Sequence, residues 1–477
     1  MTTSTLHGTV SVRMYRGILG DCFLLRQEVE NKEVKHILID CGVLQGVTGA
    51  KVLMKNIVAD LLATTGGKLD LLVVTHEHHD HLSGFLYEQD TFKNKFDIRE
   101  FWLAWTESPT DPRAIELRQR FDKTRNALSA LVSNPKMAGL AIGEKPDIHI
   151  KTVFGLSEFM GMKDGARPTG ASTLDMLKEK ATPARTRYLE PGDVARPQGI
   201  EGLKAYVLGP PKREDRLRKD TPSPGADKEV YLTRQEDAHA VEIQVGHLNG
   251  KAVDKVDLPF ALPHQRALET IEKRPPKERT LTLELYFDPA AQWRQIDDEW
   301  YSSAETLALK MDSDTNNTSL VLAFELADEQ ILLFPGDAQV GNWLSWTDQT
   351  YPRSPVPAGE RALTVDEILA RVTLYKVGHH CSHNATLRQL GLQKMTDPRL
   401  VAMIPLVTKV AEGNDWNMPY PDLYSALNTS TKNRVLIGDS DIATETATFM
   451  RIPTAAKNPA VLAYHPTGLW VEVKITF

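Results

Sequence analysis

The chain is short of cysteine, of long apolar runs and of surplus positive charge, and each shortage removes a class of protein. Three cysteines (Cys22, Cys41 and Cys381) in 477 residues are too few, and odd in number, for a disulfide framework, which points to a reducing compartment. The opening MTTSTLHGTVSVRMYRG has no apolar stretch of signal-peptide length, and no segment approaches the roughly 20 apolar residues of a membrane span. The expectation is a cytoplasmic protein without membrane contact. Lys and Arg number 56 against 63 Asp and Glu, a formal net charge of −7. No global basic field draws in nucleic acid, so a polyanionic substrate has to be held by a local patch or by metal. The apolar fraction of 41% and charged fraction of 25% are those of a globular chain able to bury its own core.

The pattern along the chain is that of an α/β protein. TVSVRMY alternates, CFLLRQEV follows the Gly20-Asp21 turn, and HILID runs into Cys41-Gly42, three strand signatures in succession. Val52, Leu53, Ile57, Val58, Leu61 and Leu62 recur with a helical period that closes at Gly66-Gly67. LDLLVVT is a short apolar run of the kind buried on both faces. Residues 1–106 thus read as one half of a layered core. Residues 107–200 read as a helical and polar insertion, and 201–211 as a core strand. Residues 212–314 open with the charge run KREDRLRKDTPSPGAD and read as a second insertion, a lid or cap. Core character returns over 315–477 in TSLVLAFE, ILLFPGD, LYKVGHH, LVAMIPLV and the final LWVEVKITF.

The chemistry is concentrated in HEHHDH at 76–81, where LDLLVVT ends. Divalent zinc binds imidazole nitrogen and carboxylate oxygen at about 2.0–2.2 Å, with an open position where it is catalytic. A loop at a strand end can present His76 and His78 to one ion, while Asp80 and His81, beginning the next helix, turn to a second. Glu77 and His79 then face away as spacers or supporting groups. The bland alternative is a solvated His-rich turn, which does not account for the position at the end of a buried strand.

HEHHDH resembles the H-x-H-x-D-H signature of the metallo-β-lactamase superfamily. GDCFLL…HILIDCG, TSLVLAFE…ILLFPGDA and LYKVGHHCS are similar, in order, to the core motifs of the nuclease-like domain of ComEC-type competence proteins. The resemblance covers about half the chain and leaves both insertions without counterpart. It implies an αββα sandwich carrying two divalent metal ions, Zn²⁺ or alternatively Mn²⁺. It makes Asp337 the carboxylate shared between them, and His379 or His380 a ligand or an acid for the leaving group, with His379 taken as the ligand. Asp40, Asn317, Ser319 and Ser382 become supporting groups around the ions. Cys381 stands where the family has glycine, either as a small buried side chain or as an added ligand. The family's further downstream histidine has no motif here. His149, His239, His247 and His264 are the candidates, all in or beside the insertions.

The implied activity is hydrolysis by a metal-bound hydroxide, with Asp80, His379 and His380 as the catalytic groups and nucleic acid, DNA first, as substrate. Lys212, Arg213, Arg216, Arg218 and Lys219 are candidates for phosphate contacts, although a solvated loop explains them as well. Two alternatives stand beside the nuclease. One is a hydrolase of a small molecule such as a cyclic nucleotide or lactone, which a closed pocket favours. The other is a silenced effector that an activating protein partner or a protease releases, the exposed 212–227 stretch being the place to cut.

Overall fold

The computed structural model describes residues 6–142, 146–162, 170–219, 273, 299–352, 362–450 and 461–477. The chain is mixed α/β. In chain order the main strands are β1 (Gly8–Tyr15), β2 (Cys22–Val29), β3 (Lys35–Cys41), β4 (Leu71–Val73), β5 (Phe101–Ala104), β6 (Thr186–Leu189), β7 (Val194–Ala195) and β8 (Lys204–Gly209). They continue as β9 (Val321–Glu325), β10 (Ile331–Phe334), β11 (Val372–Lys376), β12 (Val401–Ile404), β13 (Val435–Ile437), β14 (Val461–Tyr464) and β15 (Trp470–Thr476). One sheet runs β14-β15-β1-β2-β3-β4-β5-β6 and the other β13-β12-β11-β10-β9-β8-β7. Each joins an antiparallel part to a parallel one. β1, β2 and β3 pair antiparallel before β4, β5 and β6 continue in parallel. β8, β9 and β10 do the same before β11, β12 and β13.

Side-chain alternation shows why both sheets read as continuous apolar runs. Phe23, Leu25, Ile37, Ile39, Leu71 and Val73 of one sheet share an apolar cluster with Leu322, Phe324, Leu332, Phe334, Leu374 and Met403 of the other. The intervening Leu24, Leu38 and Leu72, and likewise Ala323, Leu333 and Tyr375, belong to a second cluster built with helices. A strand covered on both faces has no polar side to display. The Ala50–Thr65 helix buries Met54, Ile57, Val58 and Leu61 and stops at Gly66, φ 60°, a left-handed cap that glycine adopts without strain.

The helices Pro112–Val132, Pro135–Ile142, Ile148–Phe159 and Glu299–Asn317 share a separate apolar cluster that includes Leu128, Met137, Ile150, Val153, Leu307 and Met311. Two segments distant in sequence therefore form one helical unit. The span 107–200 also supplies an edge strand to each sheet, since β6 pairs with β5 and β7 with β8. Within 212–219, Glu214–Leu217 is a short helix, and the Lys219 carbonyl accepts from the Gly341 N–H at 2.8 Å. Most of the expected second insertion, including His239, His247, His264 and residues 220–227 of the charge run, lies outside the described residues. Among the described residues, no helix is long and apolar enough to cross a membrane.

Candidate metal centre

The carboxyl ends of the central strands of both sheets converge on one edge, and the chemistry-bearing residues sit there. His76 and His78 follow β4, and Asp80 and His81 open the helix His79–Tyr87. Asp40 lies near the end of β3, Asp337 follows β10, and His379 and His380 follow β11. Ligand atoms of Asp80, His81, Asp337 and His380 all lie within 4.8 Å of one another. Two glycines make room for this loop. A Cβ on Gly42 would stand 2.2 Å from the Asp80 carbonyl group, and one on Gly20 would stand 2.5 Å from the Asp80 oxygen. The backbone itself is the neighbour, so no side chain fits at either place.

Hydrogen bonds on the outer side of three imidazoles decide which nitrogen faces inward. The Asp40 carboxylate accepts from the Thr75 N–H at 2.8 Å and, through its other oxygen, from the Thr75 hydroxyl at 2.7 Å. That second oxygen also accepts from His81 Nδ1 at 2.8 Å. The Thr75 hydroxyl, its proton committed to Asp40, is left to accept from His76 Nδ1 at 3.1 Å. His380 Nδ1 donates to the Pro405 carbonyl at 2.8 Å, an oxygen that can only accept. With Nδ1 engaged on the outer side, each ring turns Nε2 inward, the arrangement that surrounding groups impose on metal-binding histidines. His380 Nε2 lies 2.9 Å from Asp80 Oδ2. His81 Nε2 lies 3.2 Å from Asp337 Oδ2, without hydrogen-bond geometry.

The inner atoms have nothing to bond to. His76, His78 and His81 Nε2 and Asp80 Oδ1 are buried with no hydrogen-bond partner. Buried polar atoms are almost always satisfied, and four orphans side by side are what a site for cations leaves when only protein atoms are counted. These donors, nitrogen and carboxylate oxygen, suit zinc and also manganese.

Electrostatics agree with that reading. Burial holds the His76 imidazole well below its usual value, helped by His81 and His78, and brings His78 down to about 4 against the pull of Asp80. Burial would raise Asp80 and Asp337, but the positive charges near them win. His81 and His380 lower Asp80, and Lys376, His81 and His380 hold Asp337 well below the carboxylate range. Neutral imidazoles and ionised carboxylates are the states that metal binding requires. His81 and His380 go the other way, since the surrounding carboxylates, Asp337 first, overcome burial and raise both. Protons there balance a negative cavity that a divalent cation would neutralise.

His379 does not join the group, and His380 takes the place expected for it. His379 Nδ1 bonds the Ser382 hydroxyl at 2.7 Å, which in turn donates to Asn384 Oδ1 at 2.8 Å. The His379 backbone N–H donates to Asp337 Oδ1 at 2.9 Å, so its main chain, not its ring, serves the site. Burial brings the His379 ring down to about 4, which leaves it neutral and poorly matched to a general-acid role near neutral pH. His379, His380 and Cys381 all have positive φ, 43°, 49° and 65°, a run of left-handed residues costing about 1 kcal/mol or more each. That strain is what turns His380 inward. Cys381 is buried, its thiol pushed up to about 12 by burial, and it is not among the grouped ligands.

Ser319 Oγ accepts from the Asp337 N–H at 3.1 Å. Asn317 ties the framework instead, donating to the Lys219 carbonyl at 2.9 Å and accepting from the Asn342 N–H at 3.2 Å. Of the basic run, Lys212 pairs with Glu190 at 2.6 Å and Arg213 with Asp215 at 2.7 Å, and Arg218 pairs with Glu214. Carboxylates hold these cations. His149 lies on the helical unit and pairs with Glu305 at 2.6 Å, and it is not among the grouped ligands.

Three groups escaped the sequence reading. Lys376 Nζ bridges Asp21 Oδ2 at 2.5 Å and Asp337 Oδ1 at 2.9 Å. Burial raises Asp21 to about 6 despite the lysine. Asp21 and Lys376 lie inside the segments GDCFLL and LYKVGHHCS that carry the family resemblance, so a signal for them existed. Asp312, whose Oδ1 is 3.9 Å from His78 Nε2, sits in a polar helix with no motif. Compared with protein-family models and with curated proteins, the chain matches none.

Proposed function

We propose that the chain is a metal-dependent phosphodiesterase of metallo-β-lactamase type, an αββα sandwich that holds two divalent ions and hydrolyses nucleic acid once its helical roof is displaced. The observation that carries the metal is the set of four orphaned buried atoms on His76, His78, His81 and Asp80. When bound, such a pair supplies Lewis acidity and lowers the pKa of coordinated water towards about 7. The chain's own part is positional. Asp40 and the Pro405 carbonyl fix His81 and His380, Lys376 fixes Asp337, and Asp80 keeps one oxygen free to orient a water. The order of motifs favours a phosphodiester over other electrophiles.

The burial of the site favours a restrained form. His76, His78, Asp80, His81, Asp337 and His380 are each at most 3% exposed, and Phe159 of the helical unit lies 6.2 Å from the His78 ring and 6.4 Å from the His380 ring. A hydrolase of a small molecule fits that closure too. Elemental analysis, then assays on bis(p-nitrophenyl) phosphate, plasmid and single-stranded DNA with Zn²⁺ or Mn²⁺, test the proposal before and after limited trypsin digestion within 212–227. Metal-dependent cleavage of the small diester, with DNA cleavage rising after the nick, is the expected result. No metal and no diester cleavage would end it.

A further inference from the structure

We propose that Asp312 is the third protein ligand of the ion held by His76 and His78, so that the metal fastens the helical unit to the sandwich. This rests on the metal-dependent reading above. His76 and His78 offer two nitrogens, their ring centroids 4.8 Å apart, and a carboxylate within 4.0 Å of His78 comes from the helix Glu299–Asn317. Asp312 Oδ1 lies 3.9 Å from His78 Nε2, both residues are at most 7% exposed, and His78 Nε2 has no hydrogen-bond partner. A direct charge-assisted hydrogen bond would close to about 2.7–2.9 Å. Two ligands on one zinc ion, each at about 2.0–2.2 Å, stand about 3.3–4 Å apart. The observed spacing matches the second case. Asn316 Nδ2, one helical turn on, donates to Asp312 Oδ2 at 3.1 Å. One oxygen is thereby held in place and the other remains for an ion, the support that ligating carboxylates commonly have.

The consequence is mechanical. The same helix contributes Leu307, Ala308 and Met311 to the apolar cluster of the helical unit, so a bond at Asp312 transmits to the whole roof. Filling the site orders the roof, and loss of that ion loosens it.

Elemental analysis of full-length wild type and Asp312→Asn should find about two ions per chain falling to about one, since the group formed by Asp80, His81, Asp337 and His380 keeps its ligands. Hydrogen exchange gives a readout independent of activity. Zn²⁺ added to metal-stripped wild type should slow exchange over 308–317 by about tenfold or more, and should not do so in Asp312→Asn. The exchange effect is also read on wild type alone, so a variant that fails to fold still leaves a deciding measurement. Two ions retained in Asp312→Asn, or unchanged exchange over 308–317 while wild type takes up both ions, would overturn the assignment but leave the metal centre standing. Wild type that binds no ion overturns both.

Discussion

Asp40 and Asp80 are both buried carboxylates beside His81, yet they do different work. Asp80 presents an unbonded oxygen to the site, whereas Asp40 spends its acceptors on Thr75 and His81. Asp80→Ala is therefore expected to lower diester hydrolysis by about 100-fold or more with an unchanged circular dichroism spectrum. Activity close to wild type would argue against Asp80 as a site residue. Asp40→Asn keeps the shape but replaces one acceptor oxygen by a donor, and is expected to weaken metal affinity by about 10–100-fold, measured by chelator competition. His79 points the other way, its Nε2 2.9 Å from the Tyr87 hydroxyl, and burial lowers it from 6.5 to about 4. Its folded value lies below its unfolded one, so the native state resists the proton. Stability from this group is complete above about 6.5 and is lost as pH falls towards 4, by about 3 kcal/mol. Urea unfolding of metal-stripped protein should show a smaller drop between about pH 7 and pH 4 in His79→Phe than in wild type. Equal drops would remove His79 from the account.

Among the elements, the helix Pro112–Val132 is held to the HEHHDH loop by Glu77, read from sequence as a spacer. Arg125, 9% exposed, pairs through its guanidinium with Glu77 and with Asp122 at 3.1 Å. Removing one partner from a buried pair leaves the other desolvated and uncompensated, typically at about 3–5 kcal/mol. Arg125→Ala is expected to speed amide exchange through 112–132 and to raise kcat/KM for the small diester severalfold, because the roof opens more often. Slow exchange and an unchanged rate would show that the latch does not control entry. Glu77 read as a spacer because its partner lies about fifty residues on, beyond the reach of any local pattern.

For the whole molecule, an ion held at this site would couple metal binding to folding through both sheets, since the candidate ligands follow β4, β10 and β11. Chelation is expected to lower Tm, and an ion at 100 times its Kd contributes about 2.7 kcal/mol per site. Thermal unfolding with and without EDTA, followed by Zn²⁺ addition, checks this. A Tm indifferent to both would show that the native state has no preference for the ion.

The strands and the HEHHDH loop were legible because both are local. Alternation over a few residues separates the faces of β1, β2 and β3, and four candidate ligands within six positions need no partner to be noticed. His380 over His379 was not legible, because three consecutive left-handed residues and the Pro405 carbonyl make that choice, and neither leaves a mark on residue type. Asp312 and the Arg125–Glu77 pair were hidden for a related reason. Asp312 and Arg125 lie in ordinary polar helix, and only the packing of Glu299–Asn317, Ile148–Phe159 and Pro112–Val132 into one unit brings them beside His78 and Glu77. An α/β core and one half of a candidate metal centre can be read from residue order alone, since periodicity and ligand spacing are properties of adjacent residues. The tertiary structure alone decided which histidine completes that centre, which carboxylate lies beside His78, and that a helical roof covers both. Those are contacts between segments hundreds of residues apart, set by how buried faces pack.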